Sequence, residues 1–262
     1  MIRTILAPNP SPMTLDGTRT FVVGRRRVAV IDPGPALGAH ADAVADAIGD
    51  GVVACLLVTH GHADHVEGAP ALADRLGAPI RSHAAGTLRD GDAVETDAGT
   101  LVAVATPGHA PDHFAFHWPA GRAVFCGDLM TGGMDTALVA APEGDLTAYL
   151  ASLERVRALA PRVIHPAHGP AFEDPGAAID AYIRHRRERE AQVLAALAAG
   201  AASLDGIARA VYGPDLHRAL REFTRGTTAA YLEHLERAGR VRRVAGEWEA
   251  ADGWTRTPNA RR

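Results

Sequence analysis

The chain has 262 residues, 47% of them hydrophobic and 22% charged, with a net charge of −4. That suits one large soluble domain, or one domain plus a small one, and points to no special partner. Every basic residue is Arg and none is Lys, which excludes a Schiff-base lysine and a Walker-type phosphate lysine as the working group.

Short β-type runs open the chain. "TRTFVVG" (18–24) and "RRVAVID" (26–32) form a hairpin pattern, closed by "DPG" at Asp32–Gly34. "HADAVADAIGD" then puts Val44, Ala47 and Ile48 on one helical face, with Gly49 as its stop. "VVACLLVT" (52–59) is continuously apolar, as in a strand buried on both faces, and it runs straight into His60. "ALADRLGAP" reads as a short helix and "PIRSHA" as a strand. "TLVAVATPGH" is strand-like to residue 106, and "HFAFHW", "PAGR" and "AVFCGD" read as strand, turn and strand. In "DLTAYLASLERVRALA", Asp145 is the expected N-cap, Leu146, Leu150, Leu153, Val156 and Leu159 share a face, and Pro161 ends the helix. "RVIHPAHG" is a last short strand entering a loop. Strands first, then strands mixed with helices, make a layered α/β domain.

After about residue 175 the composition becomes helical. One long helix is expected over "AAIDAYIRHRREREAQVLAALAAG", then a helix capped by Ser203, a helix over "TTAAYLEHLERAGR" and a hairpin around Ala245-Gly246. Helices followed by a β-ribbon predict a winged helix. The expected division is a catalytic domain at 1–175, a connecting helix at 176–200 and a winged-helix domain at 201–262. Residues 180–262 carry 15 Arg against 11 acids, so the preceding part is the acidic one.

Two cysteines, Cys55 and Cys126, cannot make a disulfide framework. Each sits in an apolar run and is expected to be a buried hydrophobe. No apolar run approaches the roughly 20 residues that span a bilayer. Nor does "MIRTILAPNPSPM" hold an apolar segment long enough for a signal peptide, so a cytoplasmic protein is expected.

Chemistry concentrates in "THGHADH" (59–65). A packed core does not tolerate such residues unpaired. His60 and His62 are two apart, so an extended segment points both to one side. Asp64 and His65 follow a small residue, where a turn redirects them. Further His and Asp fall at other predicted strand ends: Asp32, His109, Asp128, His165 and His168. Loops on a rigid sheet edge can bring these together. Imidazole and carboxylate without thiolate suit zinc, iron or manganese. His40, His83, His117, His185, His217 and His234 are expected to be surface or satisfied core residues.

These motifs resemble the metallo-β-lactamase superfamily, whose signature is His-x-His-x-Asp-His after a buried strand. "THGHADHVEGA", "TPGHAPDH", "FCGDLM" and "PAHGP" match its motifs in order within residues 18–170. The resemblance implies an αββα sandwich with two divalent metal ions, zinc foremost, at one edge. His60, His62 and His109 would hold the first ion, Asp64, His65 and His168 the second, and Asp128 would bridge them. His165 precedes the matching position and is left out. Asp128 stands where some β-lactamases place a thiolate ligand, which argues against antibiotic hydrolysis of that kind. "EGDLTAYLASLERV", "HRRERE" and the C-terminal winged helix resemble the β-lactamase-like protein 2 group, whose founding animal member is described as an endoribonuclease on single-stranded RNA. For "RHRRERE" two readings stand: a solvated face with i,i+4 ion pairs, or a joint between the two domains through Arg186 and Glu190.

The chemistry expected is hydrolysis by a metal-bound hydroxide, since coordination lowers the water pKa to about 7. Asp64 is the catalytic residue, ligating and taking a proton from the attacking water. Asp32 is expected to orient a ligand histidine, and His113 to touch substrate or support a ligand. Three function classes follow: an RNA phosphodiesterase; a glyoxalase II-like esterase or thioesterase on a small molecule; and a winged-helix DNA-binding regulator, which the mixed charge of "TTAAYLEHLERAGR" disfavours. The C-terminal unit is expected to pack on the sandwich, shape the cleft or mediate a homodimer.

Overall fold

A computed structural model describes residues 1–215 and 217–251. Residues 252–262, part of the expected winged-helix unit, and Leu216 lie outside the described residues.

Two five-stranded sheets face each other. The first is ordered β1 (Ile2–Leu6), β2 (Arg19–Val23), β3 (Arg27–Ile31), β4 (Val52–Leu57) and β5 (Ile80–Arg81). Its β1–β2–β3 portion is antiparallel, while β3, β4 and β5 run parallel. The second is ordered β10 (Val163–Pro166), β9 (Ala123–Gly127), β8 (Phe114–Trp118), β7 (Gly99–Ala105) and β6 (Ala93–Thr96). Only its β9–β10 pair is parallel.

The alternation of side chains along a strand sorts the core into layers. Phe21, Val23, Ile31, Leu57, Phe116 and Phe125 meet between the sheets. Val22, Val28, Val30 and Leu56 face outward from the first sheet. There they are covered by Val44 and Ile48 of α1 (Gly38–Ile48) and Leu72 of α3 (Ala69–Leu76). Val124, Cys126 and Ile164 face outward from the second, onto α4 (Leu146–Ala158) and α5 (Pro175–Ala198). The layers are therefore helix, sheet, sheet, helix, as expected. Asp145 caps α4 by accepting from the Ala148 N–H at 3.0 Å, and Gly49 closes α1.

Past α5 come α6 (Leu204–Tyr212), capped by the Ser203 hydroxyl, α7 (Arg218–Arg237), and the antiparallel ribbon β11 (Val241–Val244) and β12 (Glu247–Ala250). Their Ile207, Tyr231, Leu235, Val241 and Trp248 belong to the same apolar cluster as Val124 and Tyr149. The "RHRRERE" run follows the joint reading. Arg186 is 3% exposed, lies 4.8 Å over the Tyr149 ring and donates to the Ala137 carbonyl, and Glu190 pairs with Arg240.

One boundary differs from the sequence reading. Helix α7 starts nine residues before Thr227, passing through Gly226. A Cβ at Gly226 would stand 2.9 Å from the Ala141 carbonyl oxygen, so the glycine admits the 140–143 loop against the helix rather than ending it. The Ala141 N–H donates to the Gly226 carbonyl at 3.0 Å. Among the described residues no helix is long and apolar enough to cross a membrane.

Candidate metal centre

Five strand ends converge on one edge of the sandwich. β4 runs out at Leu57, the chain bends at Thr59 and Gly61, and the rings of His60 and His62 come to lie with centroids 4.5 Å apart. One helical turn, α2 (Ala63–Val66), then swings Asp64 and His65 to a second position. His109 follows β7, Asp128 follows β9 and His168 follows β10. A Cβ on Gly108 would lie 2.4 Å from the Tyr149 backbone, so a glycine at φ +135° lets the His109 turn seat against α4.

Two groups of ligand atoms result, His60, His62, His109 and Asp128 in one and Asp64, His65 and His168 in the other, each within 4.8 Å. Asp128 lies between them. Its Oδ2 is 3.6 Å from His109 Nε2 and 4.0 Å from His60 Nε2, while its Oδ1 is 3.2 Å from His168 Nε2 and 3.5 Å from His65 Nε2. Asp64 Oδ2 is 3.3 Å from both His65 Nε2 and His168 Nε2.

The outward partners fix which nitrogen faces inward. Thr59 Oγ1 donates to Asp32 Oδ2 at 2.9 Å and so accepts from His60 Nδ1 at 3.0 Å. His65 Nδ1 donates to Asp32 at 2.9 Å, His109 Nδ1 to the Leu138 carbonyl at 2.7 Å, and His168 Nδ1 to the Gly17 carbonyl at 3.2 Å. Each presents Nε2 to the centre. His62 is reversed: its Nε2 lies 3.3 Å from Glu143, and its Nδ1 lies 2.9 and 3.1 Å from the Nε2 atoms of His60 and His109. Three imidazole nitrogens thus point lone pairs at one another, an arrangement that a cation satisfies.

Two further atoms fit a metal. His65 Nε2 and Asp128 Oδ1 are buried without a hydrogen-bond partner, and such atoms are rare in folded proteins. Burial, reinforced by His65, holds the His60 imidazole well below its ordinary pKa, and burial lowers that of His109, so both are neutral donors. Burial alone would lower His65 and His168 too. Asp128 and Asp32 outweigh it at His65 and hold it well above its ordinary value, and Asp128 and Asp64 raise His168 to about 9. Against the burial that would raise it, Asp128 is held well below the carboxylate range by His65 and His168. An ion held by this half would displace those protons.

Asp32, expected to orient a ligand histidine, lies within hydrogen-bond distance of His65. Its φ of +49° lies in the left-handed region, which Asp tolerates, and turns its carboxylate from β3 across the end of β4. There it also accepts from the Thr59 N–H at 2.8 Å. His113 is 1% exposed. Its Nδ1 pairs with Thr106 Oγ1 at 2.9 Å, and its Nε2 accepts from the Asp128 N–H at 3.1 Å, so it positions Asp128. His165 turns away and stacks on Phe125 at 5.2 Å. Three residues escaped the sequence reading: Thr18, whose hydroxyl donates to Asp64 at 3.0 Å, Thr59, and Glu143 beside His62. No spacing marks them, since Thr18 and Glu143 meet their partners only in three dimensions.

A family model described as the metallo-beta-lactamase superfamily matches residues 14–89 and 85–168. A Caenorhabditis elegans protein named beta-lactamase-like protein 2 homolog is 32% identical over 213 residues, covering 75% of this chain and 70% of its own length. An Aspergillus chevalieri protein named atrochrysone carboxyl ACP thioesterase is 33% identical over 205 residues, covering 74% of this chain and 64% of its own. The crystal structure of a beta-lactamase domain protein from Burkholderia ambifaria superposes with a TM-score of 0.80 over 95% of this chain and 91% of that one, at 24% identity, a likeness of fold.

Proposed function

This chain belongs to the metallo-beta-lactamase superfamily of metal-dependent hydrolases, and on that premise we propose that it is a thioesterase-type hydrolase of acyl substrates. In this reading His60, His62 and His109 hold one divalent ion, Asp64, His65 and His168 the other, and Asp128 lies between; zinc is the proposed metal, with iron and manganese compatible with the same donors. The residues at 1–175 carry the chemistry, 176–200 connect, and the helices and ribbon described past residue 201 make a winged helix that walls the cleft.

The observation that carries the choice of substrate is the charge over the cluster. The cavity bounded by His62 and His109 has Glu143 and Glu222 as its carboxylates, and no Arg among the described residues lining it. A phosphodiester would bring its negative charge against these two, whereas nucleic-acid binding rests on basic contacts. A neutral thioester carbonyl meets no such repulsion. The Aspergillus relative's name supports the same class.

Hydrolysis breaks the acyl C–S bond, forms a C–O bond from water, and releases acid and thiol. Divalent ions bound here supply Lewis acidity and a nucleophilic water at neutral pH. With ions bound, Asp64 would be the carboxylate placed to take a proton, and the Thr18 hydroxyl fixes it by donating to Oδ2. Asp32, Leu138 and Gly17 hold the imidazoles so that their inward nitrogens stay unprotonated when ions bind.

The test is a panel of acyl thioesters beside fluorophore-labelled single-stranded RNA, run on the metal-loaded protein. Thioester turnover is expected, lost on chelation, restored by zinc, manganese or iron, and abolished by Asp64→Ala or His60→Ala. Salt-sensitive RNA cleavage without thioester turnover would favour the phosphodiesterase instead.

A further inference from the structure

A second cavity adjoins the one over the cluster. The first measures about 440 Å³ and the second about 590 Å³, and they share Met13, Leu138 and Phe223. The second lies between the 11–15 loop, the 131–138 segment and helices α5, α6 and α7. Around it gather Met13, Met134, Leu220 and Phe223, which are between 44% and 53% exposed. Large apolar side chains left in water together at one opening mark a surface that something apolar covers.

The cavity is not apolar throughout. Arg186 and Tyr231 line it, both nearly fully buried. The guanidinium donates from one terminal nitrogen to Ala137 and lies against the Tyr231 and Tyr149 hydroxyls, while its Nε and the Tyr231 oxygen make no hydrogen bond of ordinary geometry. A buried cation with a donor unmatched beside an unmatched hydroxyl is costly to leave unsatisfied. A water would satisfy these two groups but leaves the apolar rim uncovered. A single molecule with an apolar body and an oxygen acceptor at its far end satisfies both.

We infer that this second cavity is the acyl-binding site of the hydrolase, taking an apolar acyl group whose far end carries a carboxylate or carbonyl oxygen for Arg186 and Tyr231. The scissile carbonyl then lies in the first cavity, against His62 and His109, and the chain passes the gate of Met13, Leu138 and Phe223 into the second. This inference rests on the thioester reading for its chemistry but on the cavity for its shape.

The test compares kcat/KM for acetyl, octanoyl and monosuberoyl thioesters of N-acetylcysteamine, using the full metal-loaded chain. Octanoyl is expected to exceed acetyl by more than about tenfold, because its additional methylenes leave water for the second cavity. Monosuberoyl, with a carboxylate at its far end, is expected to exceed octanoyl by about tenfold, the value of one charge-assisted hydrogen bond. Tyr231→Phe removes the neutral one of the two groups that meet the far oxygen and keeps the ring; it should lower the monosuberoyl-to-octanoyl ratio severalfold without removing the Arg186 contribution. Thr227→Phe, which fills the cavity from α7, should bring both long substrates down to the acetyl rate with acetyl unaffected. Equal rates for acetyl and octanoyl, untouched by Thr227→Phe, overturn the inference. If none of the three is hydrolysed the thioester reading falls, and the cavity is then decided by calorimetry with free octanoate and suberate. Binding that Thr227→Phe weakens sustains it, and no binding overturns it.

Discussion

Asp32 does three things with one carboxylate: it accepts from the Thr59 N–H and hydroxyl, and it takes the outward N–H of His65. Asn has the same shape but offers one oxygen and two hydrogens where two acceptors are needed. Asp32→Asn is therefore expected to weaken metal retention roughly 10- to 100-fold, the usual cost of losing such a partner. Competition with a chromogenic chelator measures this, and an unchanged far-UV spectrum separates it from unfolding. Unaltered retention would show that Thr59 alone suffices to aim the ring. The residues of the centre were largely legible in the sequence, because ligands at strand ends leave a local trace. His60 and His62 share parity, and Asp64 and His65 follow a small residue that begins a helical turn. Thr18 and Glu143 left none, because each acts across 46 residues or more on a partner that only the fold supplies.

At the scale of elements, α4 is held to the second sheet by a surface clasp. Arg155 donates to both carboxylate oxygens of Asp90 at 2.8 and 2.7 Å, and Asp90 also accepts from the Ala105 N–H at the end of β7. Burial alone would raise the Asp90 carboxyl, but Arg155 and the Ala105 N–H outweigh it and hold it below its ordinary value. A depressed folded value gives stability that is complete above the unfolded carboxyl pKa of about 4 and is lost as pH falls through the folded value. Asp90→Asn should thus lower the denaturation midpoint modestly at pH 7, and the difference from the parent should vanish near pH 2. A gap that persists in acid would assign the effect to packing. Elements with strong period and caps, such as α4 and α5, were readable. The edge strands β1 and β6 were not, because an edge strand buries one weakly apolar face: β6 hides only Val94 and Thr96. The start of α7 was also hidden, since Gly226 followed by two β-branched threonines reads as a stop, and the loop it admits lies 85 residues away in the chain.

Across the whole molecule the two apolar layers that flank the second sheet differ in what they join. One is sealed between the sheets; the other extends from the sheet through α4 and α5 to the C-terminal helices and ribbon. Each layer contains one thiol. Cys55 lies between the sheets and Cys126 in the helical layer, both free and at most 2% exposed. Burial pushes the Cys55 thiol up to about 11 and raises Cys126 as well, so neither forms the reactive thiolate at neutral pH while folded. Silence in the native state makes them clocks. Alkylation by a small maleimide, followed by mass mapping in dilute denaturant, times the opening of each layer separately. Because the C-terminal elements share the Cys126 layer, the two thiols should modify at one common rate, set by global unfolding. Earlier modification of Cys126 would instead reveal that the helical layer swings away from the sandwich while the sheets, and the cluster on their edge, stay closed.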